Sequence, residues 1–421
     1  MVTLKHLSVE DPDDYSSPPV PDADFTEITP ATHRRPTPGT REMLLSRTNN
    51  LALSLVLLVG CYSAVLIPAL IPSDPLSGAN DNQHTDMVLL NSPSLSPLLS
   101  PPGLTKLPLS SLLQVLLNRS ASLLVQPCHP GWCVSRLLSL DSSSDLQDIP
   151  VFLQPGIAAN RPIPWDLAPP LGLQGCDERV ARALASLTHP GLPPSLEGRG
   201  RGGGCRRCVV VGSGGVLHGS HLGSHIDQYD IIIRMNNAPV SGFERDAGSR
   251  TTVRLMYPEG APLSPSEYRH TSLVTLVVYK CLDLDWLTSV ITKQPLSWWS
   301  KLWFWRDVVE NIPLKPENIQ ILNTEIMRKT GLALQRYTQQ QRKLVPTLGA
   351  SAVVMALQLC DEVSLAGFGY ELQHPGARLH YYESLCVDAI KAQVVHDVSA
   401  EKLFLRELVA AGVLTDLTGA L

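Results

Sequence analysis

An α/β domain built on one mostly parallel sheet is the fold this sequence predicts, and three observations predict it. Three short apolar runs, Val209–Val211, Ile231–Ile233 and Val363–Ala366, each stop in small or polar residues. The stops are Gly212-Ser213-Gly214-Gly215, Arg234-Met235-Asn236-Asn237 and Gly367-Phe368-Gly369. The third run follows a good helix, Ala350–Leu359, so helices alternate with buried strands. Ligands of such sheets bind outside the carboxyl ends of the strands, so all three stops point at one candidate site.

The segments ahead of this domain differ from it in composition. The chain has 421 residues, enough for a sizeable core, and a net charge of −5, which leaves no basic footprint for nucleic acid. Residues 1–47 mix acidic clusters with Pro, Ser and Thr and read as a disordered tail. Residues 48–72 carry no charge and are long and apolar enough to span a bilayer. Arg34, Arg35, Arg41 and Arg47 flank this segment on one side, and Asp74, Asp81 and Asp86 on the other. The positive-inside rule therefore predicts a signal-anchor helix with a cytosolic tail. Residues 73–150, rich in Ser, Pro and Leu at their start, read as a lumenal stem, and 151–421 as the catalytic domain. Asn118-Arg119-Ser120 is a glycosylation sequon on the lumenal side. Eight of the nine cysteines follow the apolar segment, which is compatible with disulfides.

Several constellations within the domain could carry chemistry. Gly212–Gly215 with Asn236 reads either as a nucleotide cradle or as a structural turn. His380-Tyr381-Tyr382-Glu383 and His396, with Glu401 five residues later, offer two imidazoles, suited to one base and one phosphate partner. Ser399 is expected to cap a last helix running to Gly412. Asp283-Leu284-Asp285 has the spacing of a metal clamp, but at a helix start it reads better as a cap. Cys205-x-x-Cys208 with Cys128 and Cys133 is poor support for zinc. Trp298, Trp299, Trp303, Phe304 and Trp305, with Lys301 and Arg306 between and after them, suit a membrane interface, sugar stacking or a helix packed on the core.

Four of these stretches, in order, resemble the motifs of the animal sialyltransferases, glycosyltransferase family 29. Cys205–Glu259 resembles the large motif, Pro346–Tyr370 the small one, His380-Tyr-Tyr-Glu the third, and His396 to Glu401 the very small one. The resemblance implies the sialyltransferase variant of the GT-A fold and an inverting transfer of sialic acid from CMP-N-acetylneuraminate, with no metal and no other cofactor. It implies that His396 is the general base and that His380 holds the donor phosphate. It assigns Ser213, Gly214, Asn236, Tyr257, Thr347, Leu348, Gly349, Gly367 and Gly369 to the donor site, and gives Glu401 a supporting role. It also implies a Cys208–Cys360 disulfide, tying the ends of the first and third strands together, and a single-pass type II protein of the Golgi membrane.

Many family members carry Asn where this chain has Ser213. Gly-Ser-Gly-Gly-x-Leu-His-Gly, the Pro-Glu-Gly-Ala-Pro-Leu-Ser run and the Trp-rich segment resemble instead a subgroup whose acceptor is lactosylceramide. The alternatives are the same transfer to galactose of glycoprotein glycans, or a non-catalytic lumenal binding protein on this fold. A dinucleotide oxidoreductase fits poorly, because the turn lacks the third glycine of its fingerprint. A homo-oligomer, or a complex with other glycosyltransferases, is compatible with the sequence, which fixes neither.

Overall fold

The computed structural model describes residues 109–421 except 139–145, 147–148, 155–166, 189–190, 194–195, 197–204, 339–343, 371–375 and 388–395. The expected tail, the apolar segment 48–72 and residues 73–108 lie outside the described residues. Among the described residues no helix is long and apolar enough to cross a membrane.

Seven strands form the sheet: β1 (Arg207–Val211), β2 (Ile231–Met235), β3 (Val253–Met256), β4 (Leu273–Leu276), β5 (Ile319–Ile321), β6 (Glu362–Ala366) and β7 (Leu414–Asp416). Every pairing is parallel, in the order β5-β4-β3-β2-β1-β6-β7. The chain winds outward from β1 through β5, then returns to the other side of β1 with β6. That reversal makes β1/β6 the topological switch point, where α/β sheets open a ligand crevice. Alternate residues of β1 serve opposite faces: Cys208 and Val210 join one hydrophobic cluster, Val209 and Val211 another. Both faces are covered, which is why these strands read as unbroken apolar runs.

The helices are α1 (Leu109–Val125), α2 (Trp132–Leu138), α3 (Asp177–Ser186), α4 (Gly223–Ile226), α5 (Glu244–Ala247), α6 (Leu282–Thr292), α7 (Trp298–Lys301), α8 (Thr324–Leu334), α9 (Leu348–Leu359) and α10 (Val398–Ala410). Two of them, α1 and α2, lie within residues 73–150. Cys133 and Leu137 of α2 are buried in the main core, and Cys128 is bonded to Cys205. Apolar spacing in α1 was hidden by the Ser- and Pro-rich stretch before it. The cap of α10 is corrected. Asp397, not Ser399, is the N-cap, and its Oδ1 accepts from Ala400 N at 2.9 Å. Asp397 takes that place because it precedes the first helical residue, whereas Ser399 is already inside the helix.

Cys208 and Cys360 are bonded, and a third disulfide joins Cys176 to Cys281. The first of these bonds joins the first and third strands of the sequence reading, as the resemblance implies. Cys208 pairs in register with Val363 near the start of β1 and β6. The bond therefore ties the amino ends of the strands, about 10 Å from their carboxyl ends at the rise of a strand. Cys133 and Cys386 are free thiols; burial pushes the Cys133 thiol up to about 12, so it stays protonated.

Candidate functional site

The glycine turn after β1 is locked to the turn after β6. A side-chain carbon on Gly212 or Gly214 would lie 2.5 or 2.6 Å from the Gly367 carbonyl oxygen, and one on Gly367 would lie 2.6 Å from Gly212 O. Gly367 also sits at φ +75°, a conformation open mainly to glycine. Gly212 N donates to Ala366 O at 2.7 Å and Gly214 N to Gly367 O at 3.0 Å. The glycines thus admit the neighbouring turn. Gly369, at φ +89°, packs likewise on Ala420, and Gly349 lies against Phe368.

The same turn positions the first histidine. Gly214 and His380 form a bridge, Gly215 N donates to Leu379 O at 3.1 Å, and Tyr381 N donates to Ser213 O at 3.0 Å. His380 Nδ1 contacts the Glu383 carboxylate, and its ring stacks on Tyr382 at 5.2 Å and 10°. With Nδ1 held, Nε2 is the nitrogen left for a ligand. The Ser213 side chain hydrogen-bonds Tyr382, so it supports the ring stacked on His380.

The second histidine is held from the start of α9. His396 Nδ1 donates to the Val345 carbonyl at 2.8 Å, which leaves the lone pair on Nε2. Burial lowers its pKa, so the neutral form persists below the usual imidazole range. Two residues after Val345, Thr347 caps α9, its Oγ1 accepting from Ala350 N at 3.2 Å. Buried Glu401 grips Thr347 twice, accepting from its N–H at 2.7 Å and its hydroxyl at 2.6 Å. Burial raises the Glu401 carboxyl to about 7 despite these two donors. Glu401 therefore fixes the segment that fixes His396. Tyr370 links the two motifs: its burial-raised phenol feels the charges of both Glu401 and Glu383, and Lys402 Nζ donates to its carbonyl at 3.1 Å.

Asn236, at the end of β2, adopts φ +48°, and its buried Oδ1 has no hydrogen-bond partner among the described residues. It faces Gly260, where any side chain would collide with that oxygen at 2.3 Å. Tyr257, at the end of β3, meets Tyr279 edge-on at 5.2 Å. Parallel register puts Gly212, Asn236, Tyr257 and Gly367 at the same edge.

Other readings resolve differently. Asp283 Oδ2 accepts from Tyr279 N at 2.8 Å and Lys280 N at 3.0 Å, and Asp285 pairs with Arg179 and Arg182. The Asp-x-Asp spacing therefore serves the start of α6 and the helix beside it. Cys128 and Cys205, bonded to each other, offer no thiolates. Asn118 is exposed on α1, and its Oδ1 accepts from Gln114 at 3.0 Å.

Sequence reasoning missed several supports of this edge. Arg254, wholly buried in β3, donates to Asn236 O at 2.6 Å and Ala238 O at 3.2 Å and pairs with Glu267 at 3.1 Å. An arginine inside an apolar run was the available signal. Tyr279-Lys280 follows a fourth apolar run, Leu273–Val278, which stops as the other three do.

Comparison with known proteins decides the family. The glycosyltransferase family 29 (sialyltransferase) model matches residues 163–413. This chain belongs to glycosyltransferase family 29. Among family 29 relatives, a lactosylceramide alpha-2,3-sialyltransferase of Homo sapiens is 44% identical over 259 residues, 60% of this chain and 61% of that enzyme. The Rattus norvegicus enzyme of the same name is 38% identical over 70% of this chain and 76% of its own length. A Mus musculus CMP-N-acetylneuraminate-beta-1,4-galactoside alpha-2,3-sialyltransferase is 40% identical over 70% of this chain and 78% of its own. The crystal structure of a mammalian sialyltransferase superposes with a TM-score of 0.53 at 26% identity, covering 70% of this chain and 99% of that one. The sheet and its flanking helices are thus the family 29 fold.

Proposed function

We propose that this protein transfers sialic acid from CMP-N-acetylneuraminate to the 3-hydroxyl of the terminal galactose of lactosylceramide, forming ganglioside GM3. The observation that carries this reading is a family 29 domain with one histidine bridged to the glycine-locked switch point and a second held by the segment that opens α9. The acceptor follows the names of the relatives at 38–44% identity and the Ser213 pattern.

In the proposed reaction His396 Nε2 takes the proton of the galactose 3-hydroxyl. The freed oxygen attacks the anomeric carbon of sialic acid, and the bond from that carbon to the CMP phosphate breaks with its electron pair on CMP. A base must be neutral to act, and burial keeps His396 so. His380, braced by Glu383 and by the bridge to Gly214, stabilises the departing phosphate. Asn236 Oδ1 is suited to accept a hydrogen bond from the nucleotide. Glu401, Thr347, Leu348 and Gly349 set the floor beside the base, with Gly367, Gly369 and Tyr257 completing the donor walls. Because the His396 pKa is lowered, the acid limb of the transfer rate is expected below the pH at which an ordinary imidazole protonates.

We place the enzyme in the Golgi membrane with residues 48–72 as its anchor. Three disulfides in the domain support an oxidising, lumenal setting. The beta-1,4-galactoside relatives at 40% identity support a second reading, transfer to glycoprotein glycans. Offering lactosylceramide and a desialylated glycoprotein side by side to the purified enzyme decides. Transfer mainly to the lipid is expected; transfer mainly to the glycoprotein overturns the acceptor assignment.

A further inference from the structure

The Trp-rich segment after α6 is not accounted for by the chemistry above. Trp298, Trp299, Leu302, Trp303 and Trp305 are each 62–77% exposed. Five large apolar side chains so exposed within eight residues form a patch that water does not favour. The patch is held from beneath by one anchor. Phe304 is buried in the cluster containing Trp286 and Leu284, and Lys280 Nζ lies 4.5 Å over its ring. Lys280 in turn pairs with Glu259 at 2.7 Å and Asp283 at 3.0 Å. Glu259 is two residues from Tyr257, and the Arg306 charge is felt at the Tyr257 hydroxyl. The patch therefore adjoins the carboxyl edge of the sheet where the donor is expected.

Its chemistry suits a lipid surface. Its cations are Lys301, which pairs with Glu310, and Arg306, which lies 5.7 Å from the centre of the Trp305 ring. Indoles with basic neighbours partition to the boundary between headgroups and acyl chains. We propose that Trp298–Trp305 is an interfacial anchor that seats the lip of the site on the bilayer, so that a lipid-linked galactose reaches His396 while its acyl chains stay in the membrane. This inference rests on the lipid acceptor proposed above. It commits to a bilayer, because the patch is a cluster of mostly exposed indoles with Arg306 against Trp305, beside a site whose proposed acceptor is membrane-bound.

The test uses the full chain reconstituted in phosphatidylcholine vesicles, with the variant W298S/W299S/W303S/W305S beside it. The apolar segment 48–72 holds no tryptophan and four of the seven tryptophans lie in the patch, so tryptophan emission reports on it. In vesicles without acceptor, brominated phosphatidylcholine is expected to quench the wild-type emission and to leave the variant's unchanged. With acceptor, the variant is expected to lose about tenfold in kcat/KM on vesicular lactosylceramide, equivalent to about 1.4 kcal/mol, and nothing on water-soluble lactose. An unquenched wild type overturns the proposal, as does an equal loss on lactose, which would make the patch a sugar platform. A change of oligomeric state without quenching assigns the patch to a second copy and also overturns it. Quenching without transfer to any lactoside leaves the anchor standing and refutes the acceptor reading instead.

Discussion

The two edges of the sheet, reached by opposite ends of the same strands, are built in contrasting ways. At the amino edge of β1 and β6 everything is tied down. Cys208 is bonded to Cys360, Arg207 pairs with Glu362 at 2.8 Å, and Asp361 accepts from the backbone of Arg206 and Gly131, each at 2.7 Å. At the carboxyl edge the backbone is as firmly locked, through Gly212, Gly214 and Gly367, but polar side-chain atoms remain open to a ligand. Asn236 Oδ1 has no partner among the described residues, and each histidine ring is hydrogen-bonded through Nδ1. One edge holds the fold, and the other holds groups in readiness. Covalent ties at the amino edge offset the cost of unsatisfied groups at the carboxyl edge.

Four changes would break or sharpen this contrast. The largest effect is expected at the carboxyl edge. His380→Ala should lower kcat by about 10²–10³, the usual cost of one charge-stabilising donor, with little change in unfolding free energy. Steady-state kinetics beside a denaturant titration check both halves. At the amino edge the pattern should invert. Cys208→Ser should lower the unfolding free energy by about 2–5 kcal/mol while leaving the donor KM of the folded enzyme alone. A raised donor KM would show that the two edges are not independent. Gly214→Ala pushes a methyl into the Gly367 carbonyl and should cost about 1–3 kcal/mol, with transfer falling as His380 is displaced from its bridge. Denaturant midpoints and kcat measured on one preparation would show both.

The smallest effect concerns pH. Folding raises Glu401 from its ordinary 4.5 to about 7, so the folded state binds its proton more tightly than the unfolded chain. This contribution to stability is fully present below about pH 4.5 and is lost as pH rises through about 7, where the folded carboxyl ionises. Glu401→Gln should flatten this slope, read from thermal midpoints between pH 5 and 7. A slope unchanged in the variant would mean that another group carries it.

Much of this was legible in the sequence because the signals were local. Apolar runs stopping in glycine or asparagine gave β1, β2 and β6, and parallel pairing did the rest. The two histidines lay in the motifs of the resemblance. What stayed hidden depended on distant partners. Nothing near Gly212 tells that Gly367 fills the space a side chain would take. Nothing near Thr347 tells that Glu401 grips it from 54 residues away. The Cys208–Cys360 pairing was implied by the resemblance, but its place at the amino edge follows only from strand register. Helix α1 was obscured by composition, because a Ser- and Pro-rich stretch runs directly into it.

The central claim is that the carboxyl edge performs the transfer with His396 as base. It is tested most directly by purified His396→Ala, assayed for sialic acid transfer to lactosylceramide and, in the same preparation, for CMP binding. The account predicts that transfer is abolished while CMP binding is unchanged. Transfer at the wild-type rate would contradict it.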